Sequence, residues 1–355
     1  MRIGVLTGGG DCPGLNAVIR AVAKSLMLNC GASVVGFEDG FLGLIENRSR
    51  ELSYRDVSGI LAQGGTILGT NNKANPLKYY ARGGADVSDE CVANYNKLGL
   101  DGLVVIGGDG TMSISHAMQL KGVNIVGVPK TIDNDLMATD RTFGFDTAVS
   151  IATDAIDRLQ TTGQSHQRVM ILETMGRYTG WIALEAGIAG GADIILIPEI
   201  PYDIEHIAEI IRGREGRQRF TVIVVAEGAA PKDGGMTVRE TIEESPDPIR
   251  LGGVGNVIRA ELEKRVDSEI RTTVLGHVQR GGTPTPSDRI LSTKYGAYAA
   301  QLVQQGKWDH MVAIQNGVLT SVKLNEVANK TRTVPLDSPL FDAARAVGTS
   351  FGVKG

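Results

Sequence analysis

The feature that most limits what this chain can fold into is an alternation repeated along most of its length. Short apolar runs of strand length are separated by segments whose apolar residues recur at helical spacing. The runs are "IGVLT" (3–7), "ASVVGF" (32–37), "GLVVIGG" (102–108), "NIVGV" (124–128), "RVMILET" (168–174), "DIILIP" (193–198), "FTVIVVAEG" (220–228) and "TTVLG" (272–276). Between them lie helical patterns such as "GLNAVIRAVAKSLML" (14–28), "DTAVSIATDAIDRLQ" (146–160) and "DIEHIAEIIRGR" (203–214). Such alternation is the signature of βαβ units and predicts an α/β chain with largely parallel central sheets. The first four strands and the next four are expected to form two sheets, with the break near Gly144, where "FGFDTAV" opens a helix with Asp146 as its N-cap. A chain of 355 residues fits two such domains or one large α/β unit. No fixed-period repeat and no Pro-rich or Ser-rich linker separates the halves, so close contact with a cleft between them is expected.

Composition narrows the partners. Hydrophobic residues make up 42% and charged residues 21%, an ordinary balance for a protein that buries a sizeable core. With a net charge of -4 and a pI near 5.8, no global basic field recruits nucleic acid or an anionic membrane. Phosphate chemistry must then rest on local clusters of Arg and Lys. Cys12, Cys30 and Cys91 are odd in number, widely spaced and free of any CxxC pairing, which argues against a disulfide framework or a structural zinc site. No secretory leader pattern opens "MRIGVLTGGG" and no stretch approaches 18 apolar residues, so a cytoplasmic location is expected.

Three glycine-rich or acidic motifs sit directly after predicted strands, where open α/β sheets bind ligands. "TGGGDCPG" (7–14) brings Gly8, Gly9 and Gly10 to a strand-to-helix turn, where bare backbone N–H groups can meet a phosphate or simply form a tight turn. It fits neither the Walker pattern nor a complete GxGxxG. In "GGDGT" (107–111), Gly108 and Gly110 clear space for a polyphosphate, Thr111 follows, and Asp109 can hold Mg²⁺, a hard cation that prefers carboxylate and phosphate oxygens. "PKTIDND" (129–135) places Asp133 and Asp135 two apart, a spacing that points both to one side of an extended segment, where bare like charges repel unless a cation or a proton-accepting role occupies that side. Phosphoryl transfer needs a base for the attacking hydroxyl and cations for the moving phosphate. Asp133 can serve as the base, Asp135 can orient the acceptor, and Lys130 and Thr131 can contact the phosphoryl group.

With these motifs in order, the sequence resembles the phosphofructokinases that phosphorylate fructose 6-phosphate. The resemblance runs from "IGVLTGGGDCPGLNAVIR" through "LVVIGGDGTMS", "PKTIDND", "SHQRVMILETMGRYTGWIA" and "VVAEG" to "TTVLGHVQRGGTPTPSDR", covering about the first 290 residues. It implies two doubly wound domains with the active site in the interdomain cleft: 1–144 plus 279–329 for the nucleotide and 145–278 plus 330–355 for the sugar phosphate. It implies Asp133 as the base toward the sugar 1-hydroxyl with Thr131 and Asp135 beside it. Arg177 of the Met175-Gly176-Arg177 loop would stabilise the transferred phosphoryl charge, Glu227 would bind sugar hydroxyls, and His277 and Arg280 would be ligands of the 6-phosphate and sugar. Arg168 and Arg271 would reach the 6-phosphate of a neighbouring subunit, which implies a homodimer or homotetramer. The cations agree with that reading, because a dianionic phosphate recruits guanidinium groups and an imidazole.

The resemblance departs in places that matter. "LGTNNKANP" (68–76) puts Asn72 and Lys73 where many bacterial members have arginine and phenylalanine, and Lys73 is expected to supply the missing charge toward the nucleotide. An effector-type arginine pair is half kept, as Arg20 and Lys24. Pyrophosphate-using members typically carry an aspartate at the position of Gly110, whose carboxylate blocks the ATP α-phosphate, together with the lysine that stands here as Lys130. Gly110 points to ATP, whereas Lys130 permits either donor. The expected function is ATP-dependent 6-phosphofructokinase with Gly10, Lys73, Gly108, Asp109, Gly110 and Thr111 at the nucleotide and Mg²⁺ on Asp109. The alternatives are a pyrophosphate-dependent phosphotransferase, a kinase of another substrate sharing GGDGT, and a non-catalytic sensor of the same fold.

Overall fold

The computed structural model describes residues 1–215, 220–241 and 249–354. In chain order the first elements are β1 (Arg2–Thr7), α1 (Leu15–Cys30), β2 (Ser33–Phe37), α2 (Phe41–Glu46), β3 (Ser49–Leu52), α3 (Ser88–Lys97), β4 (Gly102–Gly107), α4 (Asp109–Leu120), β5 (Ile125–Pro129) and α5 (Phe145–His166). There follow β6 (Val169–Thr174), α6 (Trp181–Ala189), β7 (Ile194–Leu196), α7 (Ile204–Glu215), β8 (Thr221–Ala226), the short antiparallel pair β9 (Val238–Thr241) and β10 (Ile249–Leu251), α8 (Val254–Leu262) and β11 (Ile270–Val274). The chain ends with α9 (Pro286–Gln304), β12 (His310–Gln315), β13 (Val318–Lys323), α10 (Leu324–Val327) and α11 (Pro339–Ala346).

Two compact units result. One comprises Met1–Thr147 and Arg280–Thr331; the other comprises the described residues from Ala148 to Gln279 and from Arg332 onward. The first unit is built on a seven-stranded sheet in the order β13-β12-β5-β4-β1-β2-β3, parallel throughout except for its two edge strands. The second carries a four-stranded parallel sheet in the order β11-β6-β8-β7. All eight strands expected from the apolar runs form, and they divide four and four between the two sheets.

Every residue of β4, β5, β6 and β8 is buried, as parallel strands covered on both faces require. Leu6, Phe37, Leu103, Val105 and Met112 anchor the core of the first unit, and Ile171, Ile223, Val225, Ile258 and Leu262 that of the second. Near the C-terminus, α11 buries Phe341 and Ala344 on one face.

Two features lie outside the sequence-based expectations. The hairpin of β12 and β13 turns at Asn316-Gly317, both with positive φ (51° and 76°), which is the two-residue turn that matches strand twist. The Asn-Gly dipeptide was its available signal. The second feature corrects the expected N-cap. Helix α5 begins at Phe145, so Asp146 lies inside its first turn and accepts a hydrogen bond from the Thr285 hydroxyl at 2.6 Å.

The acceptor that serves the start of α5 is Asp288, from the first turn of α9. Its carboxylate takes the Gly144 N–H at 3.0 Å, the Thr147 N–H at 2.8 Å and the Thr147 hydroxyl at 2.6 Å. Thr285 caps α9 through the Asp288 N–H, and Pro286 occupies its first turn. Asp288 is fully buried, so its removal would leave three donors unsatisfied. Asp288→Ala is expected to destabilise the protein by roughly 3 kcal/mol in urea unfolding, while an effect below about 1 kcal/mol would mean that water replaces the carboxylate at no cost.

Candidate active site

In the first unit the three central strands deliver three loops to one edge. Thr7 of β1 pairs with Ile106 of β4, and Gly107 of β4 pairs with Pro129 of β5, so the loops starting at Gly8, Gly108 and Lys130 leave side by side. Backbone bonds continue the alignment past the strand ends: Gly8 N–H donates to Ile106 O at 2.9 Å and Lys130 N–H to Gly107 O at 2.9 Å. Asp109 is the first residue of α4, so the N-terminus of that helix opens among these loops.

The glycine loop is held from two sides. The Lys130 ammonium donates to Gly10 O, and the Arg280 guanidinium donates to Asp11 O at 3.2 Å. A Cβ on Gly10 would come within 2.8 Å of Arg280 Nη1, so the guanidinium packs directly against this glycine. The Thr70 hydroxyl donates to Gly9 O at 2.6 Å and docks the segment that carries Lys73, whose own side chain is exposed and makes no hydrogen bond or ion pair among the described residues. A Cβ at Gly110 meets no atom within 4 Å, leaving open space beside Asp109.

The two aspartates are close for a reason other than the one their spacing suggested. Strand β5 ends at Pro129, and Asn134 takes a left-handed conformation (φ 52°), so the segment bends rather than running extended. Ile132 and Leu136 are fully buried and pin the bend to the core. The Asn134 side chain accepts the Thr142 N–H at 3.0 Å, the Thr142 hydroxyl donates to Thr131 O at 2.8 Å, and the Asp133 N–H donates to Thr131 Oγ1 at 3.0 Å. Asn134 and Thr142 therefore shape the loop although neither was singled out from sequence.

Burial dominates the electrostatics here. It pushes the Asp135 carboxyl up to about 7, aided by the charge of Asp133 and opposed by a hydrogen bond from Thr131. Asp135 Oδ1 is buried without a hydrogen-bond partner among the described residues. Burial also raises the Asp109 carboxyl and lowers the Lys130 ammonium, which Asp135 and Asp133 partly restore. A buried lysine and a cluster of carboxyls displaced toward neutrality form the kind of site where proton transfer and anion binding meet.

In the second unit, the expected residues fall at opposite ends of one sheet. Met175, Gly176 and Arg177 follow the carboxyl end of β6, and Glu227 follows the end of β8. Gly176 has φ 129°, a conformation reserved for glycine, and its carbonyl accepts the Gly228 N–H at 3.1 Å. His277 is exposed on the turn Gly276–Arg280 that follows β11. Arg168 instead precedes β6, and Arg271 pairs with Met170 near the start of that strand. Six strand residues at about 3.3 Å each separate Arg168 from Met175 by about 20 Å.

Glu269 binds both of these arginines, through Arg168 Nε and Arg271 Nη2. Those contacts hold the Glu269 carboxyl below its usual range, the bond from Arg168 being the largest cause. A cavity of about 260 Å³ opens at the same amino edge, lined by Arg168, Glu215, Phe220 and Ser268 among others.

The sequence profile of the family described as Phosphofructokinase matches residues 2–303. The chain is 52% identical over 359 residues to ATP-dependent 6-phosphofructokinase 2 of Clostridium perfringens, covering 99% of this chain and 98% of that protein. It is 48% identical over 335 residues to the pyrophosphate--fructose 6-phosphate 1-phosphotransferase of Amycolatopsis methanolica, covering 94% and 96%. The solved structure of phosphofructokinase from Saccharomyces cerevisiae matches with a TM-score of 0.78 at 30% identity, over 92% of this chain and 45% of that one.

The raised Asp135 carboxyl has a measurable consequence. The native state holds a proton that the unfolded chain releases between pH 4 and about 7, so this group makes stability fall as pH rises through that window. Asp135→Asn lacks that loss, and its stability relative to the parent should increase by about 2 kcal/mol between pH 5 and pH 8 in urea unfolding. A difference between the two proteins that stays constant with pH would refute the assignment.

Proposed function

The chain belongs to the phosphofructokinase family, and from that premise we propose that it transfers the γ-phosphoryl group of ATP to the 1-hydroxyl of fructose 6-phosphate, giving fructose 1,6-bisphosphate. The observation that carries the reading is the assembly at the carboxyl edge of β1, β4 and β5, where a buried lysine, a helix N-terminus and the Asp133–Asp135 pair meet.

Asp133 takes the proton of the 1-hydroxyl as that oxygen attacks the γ-phosphorus and the bond to the β–γ bridging oxygen breaks. Asp135 and Thr131 orient the acceptor, while Lys130 and Arg177 neutralise the phosphoryl charge in flight. Gly10, Gly108, Gly110, Thr111 and Lys73 serve the nucleotide. Met175, Gly176, Glu227, His277 and Arg280 serve the sugar phosphate. The first unit is thus assigned to the nucleotide and the second to the sugar phosphate, except that Arg280, assigned to the sugar phosphate, belongs to the first unit.

A Mg²⁺ requirement fits the residues present. No group of three or more His, Cys, Asp or Glu side chains able to hold a metal exists among the described residues, and Mg²⁺ needs only one or two carboxylates when phosphates and water complete its shell. Asp109, at the start of α4, is the carboxylate we assign to it. When bound, the ion would neutralise charge on the donor's phosphate oxygens.

The donor assignment rests on the open face of Gly110, which leaves room for a nucleotide α-phosphate. A pyrophosphate-dependent reaction is the second reading, and Lys130 favours it: its buried ammonium lies against the glycine loop and can assist transfer from either donor. No helix among the described residues is long and apolar enough to cross a membrane. With buried thiols at Cys12 and Cys91, we place the reaction in the cytoplasm.

Along the strand, Arg168 stands about 20 Å from the Met175–Arg177 loop of its own unit, and Arg271, in register with Met170, about 16 Å from it, beyond the reach of a side chain to that loop's ligand. We therefore assign them to the 6-phosphate bound by a neighbouring subunit in a homodimer or homotetramer. Sedimentation should show a dimer or tetramer at assay concentration, and a fully active monomer would sink this part of the reading.

Turnover of fructose 6-phosphate with Mg²⁺, run in parallel with ATP and with pyrophosphate, tests the central claim. Activity is expected with ATP, and Asp133→Ser should lose roughly 10²- to 10⁴-fold in kcat while still binding the sugar phosphate. Turnover with pyrophosphate alone would transfer the case to the second reading, and near-parental turnover of the variant would remove Asp133 from its role.

A further inference from the structure

Gln279 has no exposed surface, and its side-chain amide joins two loops of the second unit. Its Oε1 accepts the Met175 N–H at 3.3 Å, and its Nε2 donates to Gly276 O at 3.0 Å. One partner is a donor and the other an acceptor, so the orientation of the amide is fixed. Met175 opens the loop that carries Arg177, and Gly276 opens the turn that carries His277.

Main-chain bonds also tie the loop to the end of β8. Glu227 N–H donates to Thr174 O just before it, and Gly228 N–H donates to Gly176 O within it. Gly176 itself sits at φ 129°, a conformation that glycine alone adopts at ease, and a Cβ there would come within 2.6 Å of Thr179 O. A leucine at position 279 would fill the volume but strand both backbone groups. A carboxylate would accept from Met175 yet repel Gly276 O. An amide satisfies both, as does a protonated carboxylic acid.

We infer that Gln279 is a positioning residue for phosphorylated-sugar binding: it locks the Met175–Arg177 loop to the His277 turn so that both present their cations to one ligand. The inference rests on the proposed assignment of these loops to the sugar phosphate. Gln279 touches neither ligand nor reacting atoms, and it acts through Met175 and Gly276.

The test uses the full chain with Gln279→Glu and Gln279→Leu, each compared with the parent at pH 8 and pH 5.5. Hydrogen exchange of the segment around Met175 in the absence of sugar reads the lock itself. Calorimetric binding of fructose 6-phosphate reads its consequence. At pH 8 both variants should exchange at least tenfold faster at Met175 and bind at least tenfold more weakly. At pH 5.5 a buried carboxyl is protonated and regains its donor, so Gln279→Glu alone should return to within about threefold of the parent in both readouts.

Taking each variant relative to the parent at the same pH cancels the titration of the sugar phosphate. Exchange and affinity ratios near one for Gln279→Glu at both pH values, or a deficit that does not change with pH, would overturn the inference. Should Gln279→Leu fail to fold, the pH dependence of the isosteric variant still decides. A parent that binds no fructose 6-phosphate would sink the functional reading instead, and exchange at Met175 would then judge the lock independently.

Discussion

The pairing of β1, β4 and β5 is the constraint on which the first unit's chemistry depends. Their register puts Thr7 beside Ile106 and Gly107 beside Pro129, so three loops far apart in sequence begin on one line. A slip of one residue in either pairing would exchange the faces of a strand buried throughout and disperse the loops at the same time. Core packing and site geometry are therefore set by the same contacts. Sites of this kind lie at the carboxyl edge because there the backbone N–H groups and helix N-termini of parallel βα units converge.

That edge carries charge the core would rather not hold. Lys130 and Asp135 are both displaced toward their neutral forms, and burial is the largest cause in each case. A fold selected only for stability would replace such a pair with apolar residues. The surrounding apolar structure makes the arrangement tolerable: β4 and β5 are buried throughout, and Ile132 and Leu136 anchor the aspartate loop on either side of its bend. A bound polyanion would favour the charged lysine, and in the proposed reaction the proton passed to Asp133 would change the charge balance around Asp135. The displaced protonation states thus fit a reaction that moves both a phosphoryl group and a proton.

Much of this was legible in the chain itself because the signals were local. Apolar runs bounded by glycine marked the parallel strands, and motifs directly after β1, β4, β5, β6, β8 and β11 marked where chemistry would gather. What was not legible depended on partners distant in sequence or on bends inside a motif. Asp288 serves the start of α5 from more than 140 residues away, and no helix-start rule finds it. The Asp133–Asp135 pair is brought together by a left-handed Asn134 rather than by a pleat, although Asn between two aspartates was itself a turn signal. Gln279 stands in "HVQR" between His277 and Arg280, yet its importance is a matter of which backbone groups it reaches. The edge pair β12 and β13 had an Asn-Gly turn to announce it, a cue of hairpin type in a chain otherwise read for parallel crossovers.

Strand length gives the second unit a different lesson. The cations of "SHQR" and "MGR" are close in sequence, and a list of strand-end residues treats them alike. Parallel strands separate them instead, because β6 carries Arg168 at its amino end and Met175–Arg177 at its carboxyl end, about 20 Å apart. A single phosphate cannot meet both sets within one unit; under the proposed sugar-phosphate assignment the two sets would meet it through different copies of the chain. Meanwhile Glu269 neutralises Arg168 and Arg271 within the chain itself. An incoming phosphate would have to compete with a carboxylate already in place, which favours a dianionic ligand over a singly charged one. Under the proposed function, the length of one six-residue strand therefore makes the sugar-phosphate assignment depend on association between subunits.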